Sequence, residues 1–414
     1  MQRTRVSFPT IVFSLIIVIV TWALIEGWFP FAQRKWLFMA AGMGYAVFLG
    51  NKFYGSLRFI WLVVYIAIVL LNMVSGDRYF HDVGTVGFEF FVLGFPAVVT
   101  AYSFSSPNRK DMGFLLGSFF LVLFLTTVAS FLIDTFLLPN AIRMMTRYSI
   151  TLKDMSIVYA YYRMGLSSYA FPHALPVLIP PAVMGIKNKD LPKKVRLLCW
   201  ISLFSLILLI YLSGIMTALL LAVVGLVIAI VTKAGEMRHN LQRFFLIGIV
   251  VLPFLFPSIM GSILHEAKMA VGEDSYYYNK LESFEMSVVS GGDEESDDGD
   301  WEERKDLYSK SVNGIFENIL VGTNQKVGGH SSFLDRLALL GLVGFIPFLI
   351  FFIRQLRYPE KLIPKKARIY YYEGMVMGLL MLALKSSFRP ETIIVLFSIL
   401  PIAVYYLSYE KTRA

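Results

Sequence analysis

Apolar runs of about seventeen to twenty-five residues recur along the whole chain, separated by short loops, and each run matches the thickness of a bilayer core. Only helices and closed barrels satisfy every backbone polar group in lipid, and runs of this length and continuity belong to helices. The clearest are Val6–Trp28, Trp36–Gly50, Leu57–Val74, Gly84–Phe104, Met112–Leu138 and Tyr169–Ile186. They continue with Leu197–Leu212, Ile215–Val231, Phe244–Leu264, Arg336–Ile353, Tyr370–Ser386 and Thr392–Tyr409. The expectation is an all-α polytopic membrane protein with about twelve transmembrane helices. The stretch from Leu197 to Val231 is too long for one helix, and Ser213-Gly214 supplies the break. Of all residues 57% are hydrophobic and only 16% charged, against roughly a quarter charged in soluble domains. The single cysteine, Cys199, lies in an apolar run and is expected in the core. Met1 to Trp28 imitates a secretory signal but has no small-residue cleavage site, which predicts a retained first span.

The net charge of +9 could suggest nucleic acid as a partner. The basic residues sit in short inter-span loops, however, which is the positive-inside pattern and argues against that partner. Lys52, Arg58, Arg109, Lys110, the cluster Lys187–Arg196, Lys233, Arg238, Arg243, Arg354–Arg368, Lys411 and Arg413 fall on one side. That assignment puts both termini in the cytoplasm. The division expected is spans one to nine over residues 1–264, an extracytoplasmic loop over 265–335, and spans ten to twelve over 336–414. Arg34, Lys35, Arg143, Arg147, Lys153 and Arg163 break the bias. A cation there either meets lipid headgroups and acidic loop residues or binds an anionic substrate, since arginine presents a fixed fork of donors suited to phosphate. For Arg163 the functional reading is favoured, because Tyr161-Tyr-Arg163-Met-Gly165 enters the next span at the membrane surface.

Ionisable residues inside spans are expensive. Glu89, Asp134, His173 and Lys385 are the candidates, the last three near the extracytoplasmic end. Structural pairing is the favoured reading for Glu89 and Asp134. For His173, in Phe171-Pro-His173-Ala-Leu-Pro176, a structural role and a substrate contact are evenly matched.

The interval 265–335 is the one long polar stretch and the natural place for water-dependent chemistry. Its acidic run, Asp293-Glu-Glu-Ser-Asp-Asp-Gly-Asp300, lacks calcium-loop spacing and reads as a solvated strip, so no metal site is expected. After it, Trp301, Arg304, Leu307, Tyr308 and Val312 share one helical face. His330, between Gly328-Gly329 and Ser331-Ser332, stands at a loop-to-helix junction and can accept a proton near neutral pH. Asp335 is expected to cap a helix starting near Arg336.

The order Arg304, a short helix, Glu317-Asn-Ile-Leu-Val-Gly322, Gly328-Gly-His330-Ser-Ser-Phe-Leu-Asp335 and Leu340-Gly-Leu-Val-Gly344 resembles the O-antigen polymerase and ligase superfamily. The motif match covers about a tenth of the sequence, and the span pattern is similar over its whole length. A weaker echo is Tyr162-Arg163-Met-Gly165 followed by Pro172-His173. The resemblance implies a glycosyltransferase of the bacterial inner membrane that takes oligosaccharide from a polyprenyl pyrophosphate carrier, without nucleotide sugar, metal or other cofactor. It implies that His330 activates the acceptor hydroxyl and that Arg304 holds the pyrophosphate. Members often carry a Ser-Arg pair in a middle turn where this chain has Ser213 and Met216; Arg163 or Arg147 is the candidate replacement. With His173 and Tyr308 these form the expected substrate-binding set. The partners expected are the lipid-linked oligosaccharide, membrane lipids and, optionally, a chain-length regulator. A ligase acting on a lipid A core is the alternative within the family, and a lipid-linked saccharide transporter or flippase the alternative outside it. The transporter reading leaves the long loop unexplained, and no paired half-sequence repeat is evident.

Overall fold

A computed structural model of the protein describes residues 5–22, 35–74, 83–105, 107–147, 155–233, 257–272, 277–279, 281–282, 285, 300–323, 329, 331–384 and 388–408. Every regular element among them is helical. In chain order they are α1 (Phe8–Thr21), α2 (Lys35–Phe48), α3 (Leu57–Val74), α4 (Val83–Ser105), α5 (Arg109–Phe136), α6 (Ala141–Arg147), α7 (Met155–Arg163) and α8 (Phe171–Ala174). A 3-10 turn, Leu175–Leu178, joins α8 to α9 (Ile179–Lys187); α10 (Lys193–Leu212), α11 (Met216–Val231), α12 (Pro257–Val271) and α13 (Asp300–Glu317) follow. The chain continues with α14 (Ser332–Glu360), α15 (Arg368–Leu384), α16 (Pro390–Ile394), a π-helical turn over Val395–Ile399, and α17 (Leu400–Leu407).

Among the described residues, five helical stretches are long and apolar enough to cross a membrane: Thr85–Ser105, Arg109–Phe136, Lys193–Leu212, Ser332–Glu360 and Pro390–Leu407. Phe8–Thr21, Leu57–Asn72 and Thr217–Val231 are shorter apolar helices. The protein is a helical membrane protein. Most of the predicted span Phe244–Leu264 lies outside the described residues, which resume at Pro257.

Two differences from the expected spans have clear causes. The run Tyr169–Ile186 is not one helix but three pieces, because Pro172, Pro176, Pro180 and Pro181 each remove a backbone donor and crowd the preceding turn. The last span changes to π geometry at Val395–Ile399. Those two irregular turns pack on each other, and α4, itself carrying Pro96, packs on the π turn. Hydroxyls complete the local backbone: Thr100 Oγ1 donates to the Phe397 carbonyl at 2.5 Å, and Ser398 Oγ to the Pro96 carbonyl at 2.8 Å. Such local repair is how helices in lipid tolerate proline.

The core runs continuously through the bundle, with Phe13, Phe95, Phe171, Phe348, Phe351, Phe352 and Phe397 fully buried. Cys199 is buried, as its run predicts. At one end, the N-terminal turns of α1 and α5 are tied together, Ser7 N donating to Asp111 Oδ1 at 2.8 Å and Asn108 capping α5. At the other end α13 lies against α14, and there the candidate site is built.

Candidate active site

The site begins at the first turn of α14. Ser331 is its N-cap, accepting from Leu334 N, so the helix starts four residues before the predicted Arg336. Asp335 does not cap from outside. It sits in the first turn, where a carboxylate favours the positive helix end, and reaches back to accept from Ser331 N at 3.1 Å. Its other oxygen accepts from Ser311 Oγ at 2.6 Å. That bond fastens the middle of α13 to the start of α14. One turn earlier on α13, Tyr308 donates its hydroxyl to the Leu384 carbonyl at 2.8 Å, the C-terminal end of α15. Arg304 lies one further turn back on the backbone of α13, in the helical phase of Tyr308 and Ser311; its side chain is outside the described atoms. His330 also lies outside the described residues, between Gly329 and the N-cap Ser331.

The two glycine-bearing motifs meet in a backbone crossover. Gly341 has φ 59° and ψ −171° in the middle of α14, so the helix is broken there. The Ala338 carbonyl takes the Thr323 amide at 2.8 Å, while Leu342 N and Val343 N donate to the Ile319 and Leu320 carbonyls at 2.9 and 3.0 Å. The segment after α13 thus stitches into the gap in α14. A Cβ on Gly322 would strike the Leu339 carbonyl and Gly341 N, and one on Gly341 would strike Leu320 and Gly322. Only residues without a side chain allow the chains to come this close.

Five residues after Ser331, Arg336 turns inward. Its Nη2 is 2.6 Å from Glu89 Oε1, its Nε donates to Tyr65 Oη at 3.4 Å, and Tyr65 Oη donates to Glu89 Oε2 at 3.4 Å. The guanidinium lies over Phe388, 3.5 Å from the ring centroid, with Phe348 on another side at 5.0 Å. The side chains of Arg336 and Glu89 are 10% and 9% exposed. Glu89 therefore pairs structurally, as favoured from sequence, but with Arg336. Sequence reasoning passed over Arg336, whose only signal was an arginine opening an apolar run.

A second buried pair joins Lys35 Nζ to Glu391 Oε1 at 2.5 Å, in the first turn of α16. Lys35 breaks the charge bias, and its partner Glu391 lies 356 residues away in sequence. Helix α16 packs on α8, which carries His173. His173 is buried, with Nδ1 2.9 Å from the Tyr169 carbonyl. A carbonyl only accepts, so Nδ1 carries the proton and Nε2 is left as the acceptor in the neutral ring. Tyr169 meets the imidazole edge-on at 4.9 Å, and its hydroxyl accepts from Arg143 Nη1 at 2.9 Å. Asp134 accepts from Ala141 N at 3.1 Å at the start of α6. Lys385 lies outside the described residues.

Arg163 is exposed on the last turn of α7, where a cation meets the negative end of the helix dipole. The Leu166 amide donating to the Tyr161 carbonyl at 3.2 Å closes that helix. Arg147 ends α6 and Met216 opens α11, both with side chains outside the described atoms. The structure thus joins Tyr308, Ser311 and Asp335, and separately His173, Tyr169 and Arg143. The acidic run 293–299 lies outside the described residues.

Compared with family models and with curated proteins, the chain matches none. The family likeness rests on the motif residues and the span pattern.

The loop's first part is held by charge. Lys268 Nζ lies 2.7 Å from Glu285 Oε2, and His265 Nδ1 lies 3.0 Å from Glu285 Oε1. Tyr277 donates to the Tyr211 carbonyl at the end of α10 and stacks on the Tyr211 ring. The hydrogen bond from Lys268 holds the Glu285 carboxyl below its ordinary range, and the same bond raises Lys268. Glu285 therefore contributes stability above its unfolded value of about 4.3 and loses it as pH falls through the lower folded value; Lys268 contributes below about 10.4 and loses it as pH rises through its higher one. Hydrogen exchange over 265–272, corrected for intrinsic rates, is expected to stay level from about pH 5 to 9 and to quicken below about pH 4. Quickening that begins above pH 5 would mean that another group holds the segment.

Proposed function

We propose that the protein is a membrane glycosyltransferase that polymerises polyprenyl-pyrophosphate-linked oligosaccharide repeat units on the extracytoplasmic face of the bacterial inner membrane. In this reading about twelve spans carry one large external loop over 265–335, with both termini cytoplasmic. The observation that carries it is the junction of α13 and α14. Ser311–Asp335, Tyr308–Leu384 and the Gly322–Gly341 crossover converge on the stretch that holds the motif residues. A helix bearing Arg304 is thereby fastened at Asp335, in the first turn of the helix that follows His330.

The residue types suit the reaction. Displacing a lipid pyrophosphate from an anomeric carbon builds negative charge on the leaving oxygens, and prepositioned guanidinium groups stabilise it. The attacking sugar hydroxyl gives up a proton, which a histidine near neutral pKa takes. Arg304 and His330 are assigned those roles. Arg163, Arg147, His173 and Tyr308 are assigned to substrate binding, with Tyr308 acting chiefly through its hold on α13.

His330→Ala and Arg304→Ala are expected to abolish the long polysaccharide ladder in a complementation assay, with both variants at normal levels by immunoblot. A single repeat still attached to lipid core is the polymerase outcome. Loss of all attached glycan while lipid-linked polymer accumulates would reassign the protein as a ligase. An unchanged ladder in both variants would overturn the enzyme reading in favour of transport.

A further inference from the structure

At the end of the bundle away from α13 the structure has a large cavity. The two ends are distinguished by α15: its C-terminal Leu384 receives Tyr308, while Ala367 and Tyr370, at its N-terminal end, line the cavity. The cavity holds about 1360 Å³. Its wall comes from five segments distant in sequence, four of which bring cations: Arg109, Lys187, Lys189, Lys233, Lys365 and Lys366, against one carboxylate, Asp190.

Loop cations are the ordinary signal for membrane orientation, but orientation requires only that they lie in the loops. Convergence from four loops onto one cavity is additional. The usual obstacle to an anion here would be the helix C-termini, whose carbonyls carry negative partial charge. Two of these ends are already occupied. Lys187 Nζ donates to the Ala229 and Thr232 carbonyls at 2.9 Å, closing α11, and Asn188 Nδ2 donates to the Leu407 carbonyl at 2.8 Å, closing α17. Lys187 is thus committed to structure. Lys189, Lys233, Lys365 and Lys366 are exposed on the rim.

Beneath them the wall is apolar and aromatic. Met184, Ile230, Val231 and Tyr370 line it, and Arg109 lies over the Tyr406 ring, 5.1 Å from its centroid. Cations above and an aromatic flank below fit a phosphate group attached to something apolar, because lysines meet phosphate as point charges and tyrosines seat at the membrane interface.

We infer that this cavity is a binding site for a phosphate- or diphosphate-bearing ligand, on the face opposite the proposed active site and independent of it. The same chemistry is offered by an anionic lipid headgroup and by a free phosphate compound. The test uses the full chain, in phosphatidylcholine nanodiscs containing phosphatidylglycerol for the lipid and in neutral detergent with inorganic pyrophosphate for the free ion. Retained lipid is counted by native mass spectrometry and pyrophosphate binding is measured by calorimetry. The variant Lys233→Gln/Lys365→Gln/Lys366→Gln is compared with Lys193→Gln/Lys194→Gln/Lys361→Gln, which removes equal charge outside the cavity.

The cavity variant is expected to lose at least tenfold in phosphatidylglycerol retention while the control variant holds its lipid. The same pattern in pyrophosphate binding, with unchanged lipid retention, would identify a free phosphate as the occupant. Equal losses in both variants, or none in either assay, would overturn the site and leave the lysines as topology signals. Should the triple variant lose its monodisperse elution, Lys365→Gln alone repeats the comparison.

Discussion

Replacing Arg336 by methionine is expected to destabilise the protein by about 3–5 kcal/mol, the cost of stranding one member of a buried ion pair. The stranded member is Glu89, left among the described residues with the long hydrogen bond from Tyr65 at 3.4 Å. Glu89→Gln should cost a similar amount by stranding the guanidinium. The double variant Glu89→Leu/Arg336→Met should recover much of the loss, because well-packed apolar residues often replace a buried pair at little cost. The recovery, measured as a double-mutant cycle on thermal midpoints in detergent, isolates the pairwise interaction. Arg336→Lys is not a mild change: it keeps the charge and loses the planar group that lies on Phe388. An unmoved midpoint in Arg336→Met would mean that the pair does not anchor α14.

Alanine at Gly341 is expected to be of comparable severity for a different reason. Its φ and ψ of 59° and −171° lie in a region essentially reserved for glycine, which alone costs about 1–3 kcal/mol. The added Cβ would also push Leu320 away, weakening the crossover hydrogen bonds from Leu342 N and Val343 N at about 1 kcal/mol each. Gly322→Ala meets the same wall from the other side. Gly44→Ala is the contrast: nothing lies within 4 Å of its added Cβ, and alanine in a helix should stabilise by up to about 1 kcal/mol. Thermal midpoints of the three variants separate backbone crowding from a general intolerance of glycine replacement. If Gly341→Ala behaved like Gly44→Ala, the crossover would not be holding α14.

The five long apolar helices were legible because lipid imposes one rule on every outward-facing residue. The Ser213-Gly214 break was legible too, α10 ending at Leu212 and α11 starting at Met216. The proline-broken run from Phe171 could have been read the same way, since four prolines in ten residues leave no room for a regular helix. The ion pairs could not. Arg336 and Glu89 are 247 residues apart and Lys35 and Glu391 are 356 apart, and hydropathy carries no information about which distant charge answers which. Asp335 shows a finer loss. Its type and position marked a helix start, but only the geometry reveals that it serves Ser331 and Ser311 together.

The stretch Pro390–Leu407 has 89% of its residues buried, and α4, α5, α8, α9 and α15, against which it packs, all precede it in the chain. A ribosome delivers it after every helix that must surround it. Until then, the hydroxyl of Thr100 and the carbonyl of Pro96 face a space whose occupant has not been made. The place that Pro390–Leu407 fills between those helices must therefore stay open in the membrane until that stretch has been made.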